Sequence, residues 1–412
     1  MPTFLIKTFG CKVNQYDSQI IREILCRNGF TEFETGLSGQ PSLIIVNGCT
    51  VTRQSDAKVR AALRKFGRVY PGAKLILTGC SAVNPHFEQI KDINYITVEK
   101  EDFSEIISMF SGAAKDEIKM LTGFKNRTRA FLKVQEGCDS FCTYCIVPYV
   151  RGKPQSRPFE NIVTEAEKLV NAGFGEIVIT GIHVAKYYDS QYGSLTKLLE
   201  RISRIQNLKR IRISSIELSS NLEEIIDLFS TGKPFCPHFH IPLQSGSDNV
   251  LKMMGRKYTY RDYLNQADRI RRTVKNVTLS TDLIVGFPGE TEDDYRMSLD
   301  ALRDMGFIRV HVFPYSPREG TASYEYPDGI PGKIIKKRVK EAIDLSQIIA
   351  DDIKRRWLGK EVEILMEGKG EGFSDNYMRV LVDNQSNKTL AANSIVNVKL
   401  RRIDDSGNFF AW

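Results

Sequence analysis

The segment CDSFCTYC at residues 138–145 places three cysteines within eight positions. In a long chain without an export signal, clustered thiols more often bind metal than form disulfides. A structural zinc site usually has four protein ligands, and neither a cysteine nor a histidine joins Cys138, Cys142 and Cys145 at the usual spacing. A 4Fe-4S cluster held by three cysteines instead keeps one iron open to a small molecule. We therefore predict such a cluster here, with a zinc knuckle or three buried thiols as the alternatives.

A second set of three cysteines is spread over the first 80 residues. Cys11, Cys49 and Cys80 each follow a glycine at the end of an apolar run, in TFLIKTFGC, SLIIVNGC and AKLILTGC. Loops at the carboxyl ends of neighbouring parallel strands converge on one crevice, and glycine permits the tight turn that brings a backbone close to it. A lone cysteine is commonly just a small hydrophobe, so the prediction depends on the shared placement. We predict that these three cysteines hold a second cluster, with an exposed iron that could bind sulfur.

Two further cysteines are not assigned to metal. Cys26 lies within an amphipathic helical pattern and is interpreted as a core residue. Cys236 alternates with His238 and His240 in FCPHFHIPL, which could present three ligands on one strand face. Alternation of this kind is also what the inward-facing residues of a barrel show. We therefore leave all three outside the metal set.

The elements that position these cysteines are predicted to form an α/β protein with three domains. Apolar runs alternate with amphipathic segments over residues 1–120, which indicates a doubly wound parallel sheet. Six further strand–helix pairs over residues 121–358 indicate an open (β/α)6 barrel, because a full eight-stranded barrel usually takes about 250 residues. A long amphipathic helix at 331–357 leads to residues 359–412, where short alternating strands and Gly/Asn turns predict a small antiparallel β-barrel.

Composition and charge fit a soluble globular chain with a polyanionic partner. The 412 residues are 42% hydrophobic and 26% charged, and the N-terminal apolar run is too short for a signal peptide or a membrane span. We therefore expect a cytoplasmic protein. The formal net charge is +8, and nearly all of the excess lies in residues 121–359, with 36 basic against 29 acidic side chains. Such a surplus is compatible with RNA binding.

The two triads and several further motifs resemble the methylthiotransferase family of radical S-adenosylmethionine (SAM) enzymes. The C-x3-C-x2-C spacing of CDSFCTYC matches the defining motif of the radical SAM superfamily. The resemblance extends over the whole chain, through GCKVNQYD, VNGCTVT, TGCSAV, LQSGSD, DLIVGFPGET and VFPYSPREGTAS. GCKVNQYD and GFSDNYMRV are most similar to the branch that acts on N6-threonylcarbamoyladenosine beside the anticodon of tRNA. One residue departs from the pattern, since Gly48 stands where threonine is usual.

The resemblance implies two 4Fe-4S clusters and SAM as cofactors. A cluster on Cys11, Cys49 and Cys80 would supply sulfur, which one SAM molecule methylates. A cluster on Cys138, Cys142 and Cys145 would cleave another SAM molecule to a radical that removes the hydrogen from carbon 2 of adenine. That bond has no acidic proton, so side-chain acid–base catalysis cannot break it and the cofactor must carry the hard step.

The resemblance also implies cofactor and substrate contacts. For each predicted SAM contact, turn geometry or a strand-end hydrogen bond explains the residue equally well. Arg151 and Arg157 could grip phosphate or pair with carboxylates, and Tyr377 could stack on a base. The predicted SAM-binding residues are Tyr144, Thr180, Gly181, Gln244, Gly286 and Glu290.

The C-terminal barrel resembles the TRAM domain, an RNA-binding module. Its charge is unfavourable for that role, with 7 basic against 8 acidic residues in 360–412. The expected partners are the anticodon stem-loop of tRNA and an external electron donor, and we expect a monomer without membrane contact. Close alternatives are the branch acting on isopentenyladenosine of tRNA and the branch acting on a ribosomal protein aspartate. A non-catalytic alternative is an iron–sulfur electron carrier.

Overall fold

The computed structural model describes residues 1–34, 39–84, 87, 90, 93–98, 120–125, 127–219, 221–368, 370–382, 390–404 and 406–411. The chain divides into two compact units. The first contains residues 1–125, 136–155 and 316–321, and the second contains residues 126–135, 156–315 and 322–412. The cysteine loop at 138–145 thus belongs to the first unit, while the three-domain division stays a prediction. Among the described residues, no helix combines the length and the apolarity that crossing a membrane requires.

The first unit contains the predicted doubly wound parallel sheet. All of its described strand pairs are parallel, and the strand order is β2-β1-β3-β4-β5. Each of the three predicted cysteine-bearing strands is present, and a helix follows each of the first two. The elements are β1 Thr3–Thr8, α1 Lys12–Arg27, β2 Thr31–Glu32, β3 Leu43–Gly48, α2 Arg53–Val69, β4 Lys74–Gly79, β5 Ile96–Thr97 and the short helix α3 Val147–Arg151.

Alternation along β3 explains why the sheet is covered on both faces. Ile45 packs with Ile21 and Leu25 of α1, whereas Ile44 packs with Val59 and other residues of α2. All six β3 residues are buried, as expected for a central strand between two helical layers. The carboxyl ends of β1, β3 and β4 therefore lie at one edge of a rigid sheet.

The second unit contains the predicted six-stranded barrel. β6 pairs with β8 and β8 with β11, a parallel bridge joins Ile211 to Phe235, and β12, β13 and β14 pair in order. All six strands are those that the sequence predicts. The six strands are β6 Arg129–Glu136, β8 Glu176–Gly181, β11 Arg210–Ile213, β12 His238–His240, β13 Thr278–Val285 and β14 Arg309–Pro314. Three additional two-residue strands are β7 Gln155–Ser156, β9 Tyr188–Asp189 and β10 Gly193–Ser194.

Helices follow the barrel strands, and two of them begin at local capping signals. Thr259 and Thr291 begin their helices with capping boxes, in which the threonine hydroxyl accepts from the third helical residue and that residue's carboxylate accepts from the threonine backbone. Two 3-10 turns, Val184–Lys186 and Ala322–Glu325, lie between these elements. The helices are α4 Phe159–Asn171, α5 Leu195–Ser203, α6 Leu222–Ser230, α7 Asp248–Met253, α8 Tyr260–Thr273, α9 Glu292–Met305 and α10 Gly332–Arg355.

The C-terminal strands form a closed barrel in the order β15-β16-β17-β19-β18. Four of its described pairings are antiparallel as predicted, and the pairing of β17 with β19 is parallel. The fold class predicted from the sequence is confirmed, with this one parallel pairing as a difference. The strands are β15 Glu361–Gly368, β16 Glu371–Ser374, β17 Arg379–Val382, β18 Ile395–Ile403 and β19 Phe409–Ala411.

Candidate iron–sulfur centres

The first cysteine triad, Cys11, Cys49 and Cys80, gathers at the carboxyl edge of the first unit's sheet. Each cysteine directly follows or lies just past the end of β1, β3 or β4. Gly10 has a φ of 101°, and a Cβ atom at that position would lie 3.1 Å from the Cys49 Sγ. Only glycine therefore lets the loop after β1 approach the Cys49 thiol this closely. Cys11 is exposed, whereas Cys49 and Cys80 are buried, so one side of the triad is open.

Burial and the charge of neighbouring thiols both disfavour deprotonation of Cys49 and Cys80. Burial raises the pKa of Cys80 to about 12, and the neighbouring Cys11 and Cys49 raise it as well. Burial also raises the pKa of Cys49, to which Cys11 adds. Three thiolates this close require a compensating positive charge, and cluster irons provide one when bound. The donor set therefore fits an iron–sulfur cluster.

Arg151 supplies the protein's own positive charge to this triad. Its side chain is 1% exposed, and its Nε donates to the Cys80 Sγ at 2.9 Å. Its Nη1 contacts the carboxylates of Asp17 at 3.1 Å and Glu136 at 3.0 Å. Burial alone would lower the pKa of Arg151, but Cys80, Glu136 and Asp17 raise it above its usual value. Arg151 thus donates a hydrogen bond that holds the Cys80 side chain in position.

Two asparagines that the sequence analysis did not single out hold the triad's loops together. Asn14 Nδ2 donates to the carbonyls of Phe9 and Gly48, each at 2.9 Å, and so joins the loops after β1 and β3. Asn47 Nδ2 donates to the Asn14 carbonyl at 2.9 Å. Asn14 Oδ1 also accepts from Arg151. Their positions beside Cys11 and Cys49 in GCKVN and VNGC were the available signal, because buried amides need partners.

The unusual Gly48 has a structural reason in this chain. A Cβ atom at Gly48 would lie 2.6 Å from the Cβ of Ser81, the residue after Cys80. Ser81 is fully buried, so its side chain has no room to withdraw. The loops after β3 and β4 are therefore packed so closely that a side chain at Gly48 would collide with Ser81.

The second triad, Cys138, Cys142 and Cys145, lies in a loop that folds back on itself. The Cys138 backbone N–H donates to the Gly152 carbonyl at 3.0 Å, and the Cys145 N–H donates to the Cys142 carbonyl at 2.9 Å. Gly137, with a φ of 71°, lies directly against the backbone of Gly152 and Lys153, so a side chain there would collide. The Ser140 N–H lies 3.4 Å from the Cys138 Sγ. Three thiols outside any disulfide are thus arranged on one short loop that backbone hydrogen bonds hold together.

Ligand spacing argues against a mononuclear zinc ion at either triad. Among the described residues, the set of three potential ligands whose atoms all lie within 4.8 Å is His240, Asp282 and His311, which includes no cysteine. Ligands of one zinc ion crowd around that ion, whereas the cysteines of a cubic cluster each bind a different iron and stand further apart. Both triads fit a cluster better than a single ion.

The predicted SAM-binding residues occupy strand ends and turns. Tyr144 lies half-buried between two cysteines of the loop in the first unit. In the second unit, Thr180 is buried and Gly181 ends β8, where it pairs with Gln135. Gln244 has a φ of 69° and its N–H donates to the Asp282 carbonyl at 2.9 Å. Cofactor contact by these four residues stays a prediction.

Gly286 and Glu290 form one local unit after β13. The Gly286 N–H donates to Glu290 Oε2 at 2.9 Å, and Arg338 Nη1 lies 2.7 Å from the same oxygen. Burial raises the pKa of Glu290 despite both contacts. The carboxylate thus shapes the turn that contains Gly286, and its role toward SAM stays a prediction.

The predicted substrate-binding residues all have protein partners in the structure. Arg157 donates to the Lys133 carbonyl at 2.6 Å and pairs with Glu165 at 2.5 Å, and Arg151 is buried as described above. The Tyr377 ring lies 4.6 Å from the Arg212 guanidinium and 4.9 Å from the His238 ring. Their contacts with RNA stay predictions.

Comparison with known proteins connects this geometry to a family. Residues 132–312 match the radical SAM superfamily, and residues 3–98 match the uncharacterized protein family UPF0004. A threonylcarbamoyladenosine tRNA methylthiotransferase MtaB from Chlamydia pneumoniae is 35% identical over 98% of this chain and 97% of its own length. The protein of the same name from Bacillus subtilis is 34% identical over 92% of this chain and 90% of its own length.

Solved structures agree on the fold. The radical SAM methyltransferase TsrM from Kitasatospora setae, solved with cobalamin and a [4Fe-4S] cluster bound, has a TM-score of 0.58 at 14% identity and covers 85% of this chain and 89% of that chain. The resemblance read from the sequence motifs is confirmed by the match over nearly the whole chain. On the strength of these relatives and of its C-x3-C-x2-C loop, the chain belongs to the methylthiotransferase family of radical SAM enzymes.

Proposed function

We propose that this enzyme attaches a methylthio group to carbon 2 of N6-threonylcarbamoyladenosine at position 37 of tRNA, next to the anticodon. Relatives named for that nucleoside are 34–35% identical over 92–98% of the chain. The observation that carries the proposal is the convergence of Cys11, Cys49 and Cys80 within the same unit as the C-x3-C-x2-C loop. A second sulfur-ligand set is what a sulfur-transferring radical SAM enzyme needs beyond radical formation.

The chain's residues divide the work between the two triads. Cys138, Cys142 and Cys145 would hold the cluster that, when bound, supplies an electron to SAM. Cys11, Cys49 and Cys80 would hold an auxiliary cluster, with the exposed Cys11 side left open. Arg151 donates a charge-assisted hydrogen bond to Cys80 and keeps that ligand in place. Asn14 braces the loops behind the thiols, so that the ligand positions are set before a cluster binds.

A second candidate substrate is isopentenyladenosine of tRNA. A tRNA-2-methylthio-N(6)-dimethylallyladenosine synthase from Thermodesulfovibrio yellowstonii is 31% identical over 96% of this chain. The identity is lower than for the relatives named for threonylcarbamoyladenosine. The two nucleosides share the attacked carbon and differ in the group on N6, so the same thiols would serve either one.

The substrate is tested with reconstituted enzyme, dithionite, SAM and tRNA from a strain that lacks its own methylthiotransferases. Mass spectrometry of the nucleosides should show a methylthio group on threonylcarbamoyladenosine, whereas isopentenyladenosine should stay unchanged. Modification of isopentenyladenosine alone would overturn the choice of nucleoside.

Two matched cysteine variants test the division of roles. Cys49→Ala should abolish the methylthio product yet retain formation of 5′-deoxyadenosine, because it removes a ligand of the auxiliary cluster and leaves Cys138, Cys142 and Cys145 in place. Cys138→Ala should abolish both. If Cys49→Ala yielded full methylthio product, the first triad would not be the sulfur site.

A further inference from the structure

Three potential metal ligands lie side by side on neighbouring barrel strands of the second unit. His240 ends β12, Asp282 lies in β13 and His311 lies in β14. The strand register pairs Asp282 with His311 and His240 with Ser280. One ligand atom from each of the three lies within 4.8 Å of the other two. We propose that His240, Asp282 and His311 bind one divalent transition-metal ion, separate from the cysteine centres.

A chain of hydrogen bonds on the same strands fixes the proton positions of two histidines. The Thr278 hydroxyl donates to the Asn376 carbonyl at 2.5 Å, so its oxygen accepts from His238 Nδ1 at 2.9 Å. In neutral His238 the Nε2 then has only a lone pair, which accepts from the Ser280 hydroxyl at 3.1 Å. The Ser280 hydroxyl proton is used in that bond, so the Ser280 oxygen accepts from His240 Nδ1 at 2.9 Å. His240 is thus assigned as the tautomer protonated on Nδ1.

With His240 in this tautomer, the contact between His240 and Asp282 is favourable only if a cation lies between the two side chains. The His240 Nε2 lies 3.2 Å from Asp282 Oδ2. With the proton on Nδ1, a nitrogen lone pair faces a carboxylate oxygen, and two acceptors repel each other unless a positive charge lies between them. A proton on Nε2 would explain the contact between His240 and Asp282 but not the nearby position of His311. A metal ion also accounts for the third potential ligand, His311, whose ring centroid is 5.8 Å from that of His240.

The ligand types indicate the class of ion. Two imidazoles and one carboxylate suit zinc, iron(II) or cobalt(II), whereas magnesium and calcium favour all-oxygen sites. His311 is exposed, and His240 and Asp282 are half-buried, so further positions around the ion would be open to water or to another ligand. Ser280 supplies the contact behind His240 that metal-bound histidines usually have on their other ring nitrogen.

The arrangement differs from the strand-face set that the sequence pattern suggested. Cys236 and His238 alternate with His240 along the sequence, but neither belongs to the set of three ligand atoms that lie close together. Cys236 is fully buried near Arg212 and Glu176, and burial raises the pKa of its thiol to about 12. His238 uses both ring nitrogens in the hydrogen bonds above. The partners of His240 instead come from the next two strands.

The proposal is tested with full-length protein in which both clusters have been reconstituted, so that the cysteines are occupied. The protein is dialysed to equilibrium against Zn²⁺, and bound zinc is measured by elemental analysis beside iron. We expect one zinc ion per chain, and we expect it to be lost in the double variant His240→Ala/His311→Ala and in Asp282→Asn. His183→Ala is the matched control, because it removes a buried histidine that is outside the set and should leave zinc unchanged.

Two further measurements keep the result independent of folding. Ser280→Ala leaves all three ligands in place and should weaken zinc binding by about 10- to 100-fold through loss of the contact behind His240. X-ray absorption at the zinc edge should show nitrogen and oxygen neighbours. Sulfur neighbours, unchanged zinc in the double variant, or no bound zinc in the unmodified protein would each overturn the proposal.

Discussion

At the scale of single residues, the first triad depends on one buried cation. Arg151 lies against Cys80, Asp17 and Glu136, and this contact could not be read from the sequence because Arg151 follows the other cysteine loop. A hydrogen bond from a cationic donor stabilises the more negatively charged state of a cluster thiolate. The guanidinium should therefore favour the reduced form of an auxiliary cluster.

Replacing Arg151 should lower the midpoint potential of the auxiliary cluster proposed for Cys11, Cys49 and Cys80. In a background with Cys138, Cys142 and Cys145 changed to alanine, Arg151→Met should lower the midpoint potential of the remaining cluster, and Arg151→Lys should lower it less. Potentiometric titration followed by electron paramagnetic resonance measures this. Arg22→Met, which breaks an ion pair with Glu32 in the same unit, is the control and should leave the potential unchanged. An unaltered potential in Arg151→Met would contradict the expectation.

Gly48 should tolerate a side chain only if Ser81 gives way. Gly48→Ala places a Cβ 2.6 Å from that of Ser81, and such overpacking typically costs about 1–3 kcal/mol of unfolding free energy. Iron bound to the first triad should fall with it. The double variant Gly48→Ala/Ser81→Gly removes the collision and should recover both quantities, measured by thermal denaturation and iron analysis. Equal losses in the single and double variants would show that the contact is not the cause.

At the scale of elements, Asp294 links the N-termini of two helices of the second unit, α7 and α9. Its carboxylate accepts from the Thr291 hydroxyl at 2.7 Å within the capping box of α9. It also accepts from the Ser247 hydroxyl at 2.5 Å, and Ser247 caps α7. Burial would raise the pKa of Asp294, but the hydrogen bonds from Ser247 and Thr291 hold it below the ordinary value of 3.8.

Removing this carboxylate should cost stability in a pH-dependent way. Asp294→Ala should lower the free energy of unfolding by about 1–2 kcal/mol near neutral pH, the usual cost of a lost cap. Because the folded-state pKa is lowered, the contribution is complete above the unfolded pKa and disappears as pH falls through the folded one. Urea denaturation from pH 7 to pH 3 should show the two proteins converging at the acid end. A pH-independent difference would mean that the charge plays no part.

At the scale of the whole molecule, buried arginines join the C-terminal barrel to the (β/α)6 barrel within the second unit. Arg212 of β11 pairs with the fully buried Glu176 of β8 at 2.8 Å and donates to the Asp375 carbonyl at 2.9 Å. Arg210 donates to the Glu363 carbonyl at 2.7 Å. The Tyr377 ring lies over the Arg212 guanidinium. These contacts attach the C-terminal barrel through β15 and the turn after β16.

Breaking this junction should be among the most destabilising single changes. Arg212→Met leaves Glu176 buried beside weaker partners and should cost about 3–5 kcal/mol, because an incompletely compensated charge stays inside. Arg201→Met breaks the exposed pair with Glu167 and should cost less than about 1 kcal/mol. Urea denaturation compares the two, and limited proteolysis should release the C-terminal barrel from Arg212→Met first. Similar costs for both variants would rule out the junction as a major source of stability.

The sequence by itself determined the family and the strands that carry or flank the cysteines. Strand patterns are local, so apolar runs ending in Gly-Cys located β1, β3 and β4, and the six barrel strands followed the same logic. The spacing of Cys138, Cys142 and Cys145 within one loop needs no knowledge of distant contacts. The convergence of Cys11, Cys49 and Cys80 could be predicted because the edge rule for parallel sheets converts strand order into proximity.

Only the tertiary structure decided which distant residues serve these sites. Arg151 joins Cys80 across 71 positions of sequence, and Gly48 is explained by a serine on another loop. His240 finds Asp282 and His311 through strand register, whereas the sequence pattern pointed along its own strand. A local pattern reports which face a residue occupies. Its partners are set by the packing and pairing of other segments, which depend on the burial of the whole chain.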